Sequence, residues 1–140
     1  MYKALVVEKL AASPEEGIAG VKLVDLPRRA LEDGEIRVAV KSASINFPEL
    51  LMMQGKYQYK YVAPYPLSHE SIVARPTLPF TLCSEGAGVV AESKSSKFAI
   101  GDRVLFSSGT NGAAAAEFVG DEHKFMPLPP TLSYSQGAGF

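Results

Sequence analysis

Short stretches of alternating hydrophobic and polar residues run along this chain, separated by glycine and proline. The clearest stretch is Glu35–Ala43. Its Ile36, Val38 and Val40 share one face, and charged residues alternate with them. Because successive side chains of a strand point to opposite sides of a sheet, this pattern predicts a half-buried strand.

Other stretches of the same kind predict further strands, with few helices between them. The predicted strands and extended segments are Tyr2–Val7, Val21–Leu26, Glu35–Ala43, Cys83–Glu92, Arg103–Phe106, Ala115–Val119 and Phe125–Pro130. Pro48 is tolerated in a first helical turn and predicts a short helix to Met53, ended by Gly55. Ser133 can cap a final helix, whereas Ser13–Gly17 has turn chemistry. The summed pattern predicts a mainly β domain, a partly closed β-barrel with one or two short helices.

Two segments between these elements have distinct composition. Gly86-Ala87-Gly88 lies near the start of a predicted strand, where glycine permits close approach of another backbone or a ligand. Tyr59–Pro79 is rich in tyrosine and proline and has no clear period, which predicts a loop. Such a loop either shapes access to a substrate or is a disordered insertion, and the second interpretation is favoured.

Composition and charge narrow the class of protein. The 140 residues are 46% hydrophobic and 21% charged, close to globular averages, and the formal net charge is -1. Lys and Arg are scattered, so the chain lacks the basic patch expected for a nucleic-acid partner. No apolar run is long enough to span a bilayer, and the N-terminus lacks a signal-peptide pattern. We therefore expect no membrane insertion and a cytoplasmic location.

A scan for reactive groups finds little. His69 and His123 lack the spacing of paired metal ligands, and each is interpreted as a surface or structural residue. Cys83 is the single cysteine, and its apolar neighbours favour a small buried hydrophobe over a nucleophile. Gly86-Ala87-Gly88 lacks the third glycine and the following helix of a phosphate-binding fingerprint.

Four longer sequence segments are more specific than these single residues. They are Ile45–Tyr57 (INFPELLMMQGKY), Leu78–Val90 (LPFTLCSEGAGVV), Phe98–Val104 (FAIGDRV), and the closing Pro127-Leu128-Pro129 with Leu132–Ala138. In order and content they resemble the N-terminal GroES-like domain of the medium-chain dehydrogenase/reductase superfamily. Within it they are most similar to the zinc-free quinone oxidoreductase branch, which includes the ζ-crystallin and vesicle amine transport protein 1 types. The resemblance runs from Tyr2 to Phe140.

This resemblance implies a fold, a reaction and a cofactor. Residues 1–140 would form a GroES-like β-barrel, the substrate-side domain of the enzyme. The NAD(P)-binding Rossmann domain expected after it is absent from this chain. NADPH would lie between the two domains, held mainly by the missing one, and its hydride would pass to a quinone or an α,β-unsaturated carbonyl. That small molecule is the implied partner, and a homodimer of the full-length protein is compatible with the family.

The resemblance also identifies where zinc ligands would stand. Zinc-dependent alcohol dehydrogenases place a cysteine near Ile45-Asn46 and a Gly-His-Glu motif at Cys83-Ser84-Glu85. Here the first position has no cysteine, and Ser84 replaces the histidine. Because a catalytic zinc needs about three protein ligands, we expect no metal in this protein.

The site residues follow from the same comparison. Asn46 and Tyr57 match an asparagine and a tyrosine that line the cleft near the nicotinamide and the substrate carbonyl in similar proteins, and we predict both as catalytic. Asn46, Phe47 and Tyr57 are the predicted cofactor contacts. A carboxamide offers donors and an acceptor, and a phenol can donate to a developing oxyanion. The alternatives are a helix N-cap for Asn46 and a partly exposed aromatic residue for Tyr57. Leu51 stands where some relatives carry a tyrosine, so that contact is missing.

Two other functions fit the same sequence. One is a binding module that keeps this fold without catalysis. The other is the enoyl-reductase unit of a larger fatty-acid or polyketide-type synthase. A reading frame that continues past residue 140 into a strand and a glycine-rich turn would favour the enzyme over the binding module.

Overall fold

A computed structural model describes residues 1–57, 77–109 and 111–140. Within these ranges the chain forms eight strands and three short helices. The strands are β1 (Tyr2–Val7), β2 (Lys22–Leu26), β3 (Glu35–Ser44), β4 (Phe80–Thr81), β5 (Glu85–Ser93), β6 (Arg103–Ser107), β7 (Glu117–Asp121) and β8 (Phe125–Pro127). The helices are α1 (Pro14–Ala19), α2 (Phe47–Met53) and α3 (Tyr134–Ala138), with one 3-10 turn at Glu122–Lys124. None of the helices in the described part of the chain is long and apolar enough to cross a membrane.

The strands form two antiparallel sheets that curl into a partly closed barrel. The smaller sheet has the order β2-β1-β4, and the larger has the order β7-β3-β5-β6-β8. A segment at residues 113–116 joins them. In it Ala116 donates its N–H to the Lys3 carbonyl of β1 at 2.7 Å, and its own carbonyl accepts from the Val40 N–H of β3 at 3.0 Å. This GroES-like, mainly β architecture is the one that the sequence predicts.

The core lies inside the curled sheet. Ile36, Val38, Val90 and Val104 are its largest fully buried side chains. Phenylalanines fill the space beside them, and the rings of Phe106 and Phe118 are stacked with their centroids 4.5 Å apart. A smaller apolar cluster of Ala87, Leu128 and Ala138 holds α3 against the outside of the large sheet.

The glycines of β5 allow the backbones of β3 and β5 to approach closely. A Cβ atom added to Gly88 would lie 2.2 Å from the Ala39 carbonyl oxygen, and one added to Gly86 would lie 2.7 Å from the Phe106 ring. At Gly88 the close atom belongs to the backbone of β3, so only glycine fits there without a shift of the backbone, whereas at Gly86 the Phe106 ring of β6 would have to move. The predicted role of Gly86-Ala87-Gly88 in close backbone approach is confirmed.

Two predicted elements need correction. The stretch predicted as a turn at Ser13–Gly17 begins α1, in which Ser13 Oγ accepts from the Glu16 N–H at 3.2 Å and the Glu16 carboxylate accepts from the Ala12 N–H at 2.9 Å. These reciprocal caps stabilise a short helix that the nearby glycines conceal in the sequence. The strand predicted from Ala115 begins only at Glu117, because Ala115 instead pairs with Ala4 of β1.

Other predicted elements agree with the structure within a few residues at their ends. The Glu35–Ala43 strand is β3, the Pro48–Met53 helix is α2, and Ser133 caps α3 with Oγ accepting from the Gln136 N–H at 3.2 Å. The extended exit predicted to Pro130 is regular strand only over β8. The Tyr59–Pro79 prediction lies almost wholly outside the described residues.

Candidate functional site

The candidate site begins where β3 ends and α2 starts. Asn46 is the N-cap of α2, with extended backbone at φ -119° and ψ 167°. Its backbone N–H donates to Glu49 Oε2 at 2.7 Å, and Pro48 occupies the first turn. These local preferences fix where the helix begins, and they confirm that Asn46 stands at a cap.

The Asn46 carboxamide is turned toward the neighbouring strand. Its Nδ2 donates to Glu85 Oε2 at 3.1 Å, and its Oδ1 accepts from Ser44 Oγ at 3.2 Å. Ser44 and Glu85 are themselves paired across β3 and β5, so the sheet register brings the three side chains together. Since an amide nitrogen has two protons and one of them goes to Glu85, the other remains for another molecule.

A cavity of about 440 Å³ borders Glu85. Ser108 stands in its wall, and its hydroxyl donates to the Ser84 carbonyl at 3.0 Å. Exposed His123 and Lys124 lie at its edge. The remaining wall is mainly apolar and is formed by Leu105, Phe106, Ser107, Gly109, Met126, Gly137, Ala138 and Phe140. The cavity therefore combines an apolar surface with polar groups at one side, as small-molecule sites do.

The predicted site residues lie at the two ends of α2. Asn46 and Phe47 stand at its start, and the Phe47 side chain is 70% exposed. Tyr57 follows its other end and packs, half-buried, against the main core. A helix of seven residues spans roughly 10 Å. The structure thus groups Asn46 with Ser44 and Glu85, while Tyr57 lies beyond the far end of the helix.

Glu85 and Ser44 are the members of this group that the sequence did not predict. Glu85 falls inside a string that carries the family resemblance, but its contact with Asn46 spans 39 positions of sequence. Only the pairing of β3 with β5 places it there. The alternation of β3 puts Ser44 and Ala43 on opposite faces, which is a signal that the sequence does contain.

The other reactive residues considered in the sequence behave differently. Cys83 is buried and has a left-handed backbone at φ 63°. Burial, and secondarily the charge of nearby Glu49, raises the pKa of its thiol to about 11, so the interpretation as a small buried hydrophobe agrees with its surroundings. His123 is exposed, with Nδ1 2.5 Å from Asp121 Oδ1. His69 lies outside the described residues.

The described residues offer neither a metal cluster nor a phosphate cradle. No three His, Cys, Asp or Glu side chains in the described ranges are close enough together to hold a metal ion. Nucleotide phosphates usually rest on a glycine-rich turn that opens a helix. None of α1, α2 and α3 follows such a turn, and Gly86-Ala87-Gly88 lies within β5. These residues do not fit the phosphates of a dinucleotide.

Comparison with known proteins assigns the family. Residues 32–138 match the alcohol dehydrogenase GroES-like domain, and the chain belongs to that family. Its relatives place it in the quinone oxidoreductase branch of the medium-chain dehydrogenase/reductase superfamily. One of them, the quinone oxidoreductase-like protein 2 homolog of Nematostella vectensis, is 36% identical over 110 residues, which cover 77% of this chain and 26% of that protein.

Solved structures of other proteins have the same fold as this chain. The quinone oxidoreductase of Thermus thermophilus, solved also in complex with NADPH, is 27% identical, with a TM-score of 0.70, and the match covers 99% of this chain and 36% of that one. The human synaptic vesicle membrane protein VAT-1 homolog-like protein has the same fold, with a TM-score of 0.78 at 23% identity over 99% of this chain and 39% of its own. The chain spans roughly a quarter to two fifths of the length of these relatives.

Proposed function

We propose that this chain forms the substrate-side wall of an NADPH-dependent, zinc-independent oxidoreductase that transfers hydride to a quinone or an α,β-unsaturated carbonyl. The observation that carries the proposal is the Asn46 carboxamide, held between Ser44 and Glu85, of which Glu85 lines a cavity. Relatives named quinone oxidoreductases, one solved with NADPH, support the class of reaction and the cofactor.

The chemistry assigned to Asn46 follows from its fixed orientation. With one N–H bound to Glu85, the second can donate to a substrate carbonyl oxygen. Charge develops on that oxygen as hydride adds, and a donor that is already oriented stabilises the charge without reorganising. Glu85 and Ser44 act through Asn46 as positioning residues. We assign Tyr57 a second donor role, and Phe47 an apolar contact with the cofactor.

The cofactor supplies the hydride when it is bound, and this chain would contribute orientation of the substrate and exclusion of water. The described residues lack a phosphate cradle, so the proposal requires a further nucleotide-binding domain. It also includes a quinone or enone as the small-molecule partner. A cytoplasmic location and a homodimer of the full-length protein remain predictions, to be tested by fractionation and by light scattering.

The test compares residues 1–140 alone with the same chain joined to the rest of the Thermus thermophilus relative. NADPH binding is measured by calorimetry, and turnover by the loss of NADPH absorbance with a quinone or an enone. We expect the chain alone to bind no NADPH and to reduce nothing. Micromolar binding or turnover by the chain alone would contradict the assignment to a substrate-side wall. A chimera that binds NADPH but reduces neither substrate class would count against the proposed reaction.

Variants of the chimera test the individual residues. Asn46→Ala should lower kcat/KM by about 10²-fold, since loss of one oxyanion donor has that order of effect. Tyr57→Phe should also lower it. Lys56→Ala is the matched control, because Lys56 is exposed and adjacent to Tyr57. If both site variants keep the kinetics of the control, the assignment of the site is wrong.

A further inference from the structure

A second cavity, of about 530 Å³, has no described lining residue in common with the cavity that borders Glu85. It lies among β1, the end of β3, α1 and α2. The strand alternation at the end of β3 separates the two, because Ala43 lines this cavity whereas the next residue, Ser44, contacts Asn46. Its volume is in the range of small-molecule sites.

The lining is almost entirely apolar. Within the described ranges, ten of its eleven lining residues carry hydrocarbon side chains, a thioether or a thiol, namely Leu5, Ile18, Val21, Ala43, Ile45, Leu50, Met53, Leu82, Cys83 and Ala114. The eleventh is Glu49, which is only 2% exposed. Among the described lining residues, the Glu49 carboxyl group is therefore the one polar side chain in apolar surroundings.

Glu49 has hydrogen-bonding capacity that the protein does not use. Its Oε2 accepts from the Asn46 N–H at 2.7 Å. No donor within residues 1–57, 77–109 and 111–140 contacts its other oxygen, Oε1. A buried acceptor without a donor costs free energy, and native structures usually satisfy such groups. A ligand that brings a donor would satisfy it, whereas a ligand that brings only an acceptor would be repelled.

We propose that this second cavity binds a small apolar molecule bearing one hydrogen-bond donor, an alcohol or an amine, which donates to the Glu49 carboxyl group. The hydrocarbon body lies against Leu50, Met53 and the other apolar walls. This proposal does not rest on the proposed oxidoreductase function, because the two cavities have no described lining residue in common and the second requires no cofactor; Glu49 touches the candidate site only through the Asn46 N–H.

The test uses two isomers that differ in the donor. Cyclohexylmethanol has a hydroxyl proton, and methoxycyclohexane has the same composition without one. The protein of residues 1–140 is labelled with ¹³C at its methionine methyl groups. Met53 lines the second cavity, while Met126 lines the candidate site and serves as an internal control. Cyclohexylmethylamine provides the cationic donor in a parallel titration.

We expect the alcohol or the amine to shift the Met53 signal without shifting Met126, and to bind about tenfold more tightly than the ether. Equal affinity of the ether and both donors, or no shift of Met53 with either donor, would overturn the proposal. This comparison is made on the unchanged protein, so it does not depend on whether a variant folds.

Two variants extend the test. Glu49→Gln keeps an oxygen to accept from the Asn46 N–H but can present an amide N–H to the cavity. In this variant the affinity for the alcohol should exceed the affinity for the ether by no more than about onefold, so the two should bind equally well. Ala114→Leu should fill the cavity and abolish binding of all three ligands. An unchanged donor preference in a folded Glu49→Gln protein would contradict the assigned role of Glu49.

Discussion

Replacing Arg37 with methionine should destabilise the domain strongly, although Arg37 lies on the face of β3 that the sequence marks as polar. Its side chain is only 8% exposed. The guanidinium contacts Glu92 Oε2 at 2.9 Å and Glu117 Oε2 at 3.3 Å, and it donates to the Arg29 carbonyl at 2.5 Å. Arg37→Met keeps most of the buried hydrocarbon but removes one donor from each of these three acceptors.

The magnitude follows from how buried the partners are. Breaking a buried ion pair by removing one partner costs about 3–5 kcal/mol. Glu117 is 12% exposed but still contacts Arg28, and Glu92 is 51% exposed and can be solvated. We therefore expect Arg37→Met to lower the free energy of unfolding by an amount at the lower end of this range, about 3 kcal/mol. For a domain of this size such a loss lowers Tm by roughly 10 °C.

Urea denaturation followed by circular dichroism measures this difference directly. Lys22→Met is the matched control, because the Lys22–Glu8 pair has side chains that are 62% and 46% exposed. An exposed pair contributes about 0–1 kcal/mol. Combining Arg37→Met with Glu117→Gln should recover part of the lost stability, because the buried carboxylate that Arg37 faced is then neutral. If Arg37→Met costs no more than Lys22→Met, the buried network does not stabilise the fold.

Three further predictions concern stability and reactivity, and one concerns metal content. Gly88→Ala should destabilise the domain by roughly 3 kcal/mol, since its Cβ would meet the backbone of β3; Gly139→Ala, with its nearest contact at 3.7 Å, is the control in the same urea assay. The Arg29 hydrogen bond lowers the pKa of Glu35 from 4.5 to about 2. The stability that the ionised Glu35 contributes to the fold is therefore fully present above the pKa of this group in the unfolded chain. It is lost as the pH falls from about 4.5 towards 2. Glu35→Gln should lose less stability over that range, and equal losses in acid titrations of the two proteins would refute this. The pKa of the Cys83 thiol is raised to about 11, so Cys83 should react slowly with a disulfide reagent at mildly alkaline pH and rapidly in denaturant. Fast labelling of the folded protein would contradict the burial of Cys83. Elemental analysis after dialysis should find no stoichiometric zinc, and a zinc content equal to that of the protein chain would show that the predicted zinc independence is wrong.

Local patterns predicted much of the secondary structure because they depend on neighbours in sequence. Alternation over Glu35–Ala43 located β3, Pro48 located the start of α2 to within one residue, and the cap residue Ser133 located the start of α3. The turn predicted at Ser13–Gly17 was wrong because helix α1 is too short to show a period, and its stability depends on reciprocal caps and on packing against α2.

The sequence by itself determined the mainly β class, the family strings and the nomination of Asn46. Only the tertiary structure decided what Asn46 contacts. Its pairing with Glu85, and the burial of Arg37 among carboxylates from other strands, depend on the register of β3 with β5 and β7. Register is set by the collective packing of both sheet faces, so contacts between residues that are 39 or 80 positions apart cannot be deduced from either residue's neighbours.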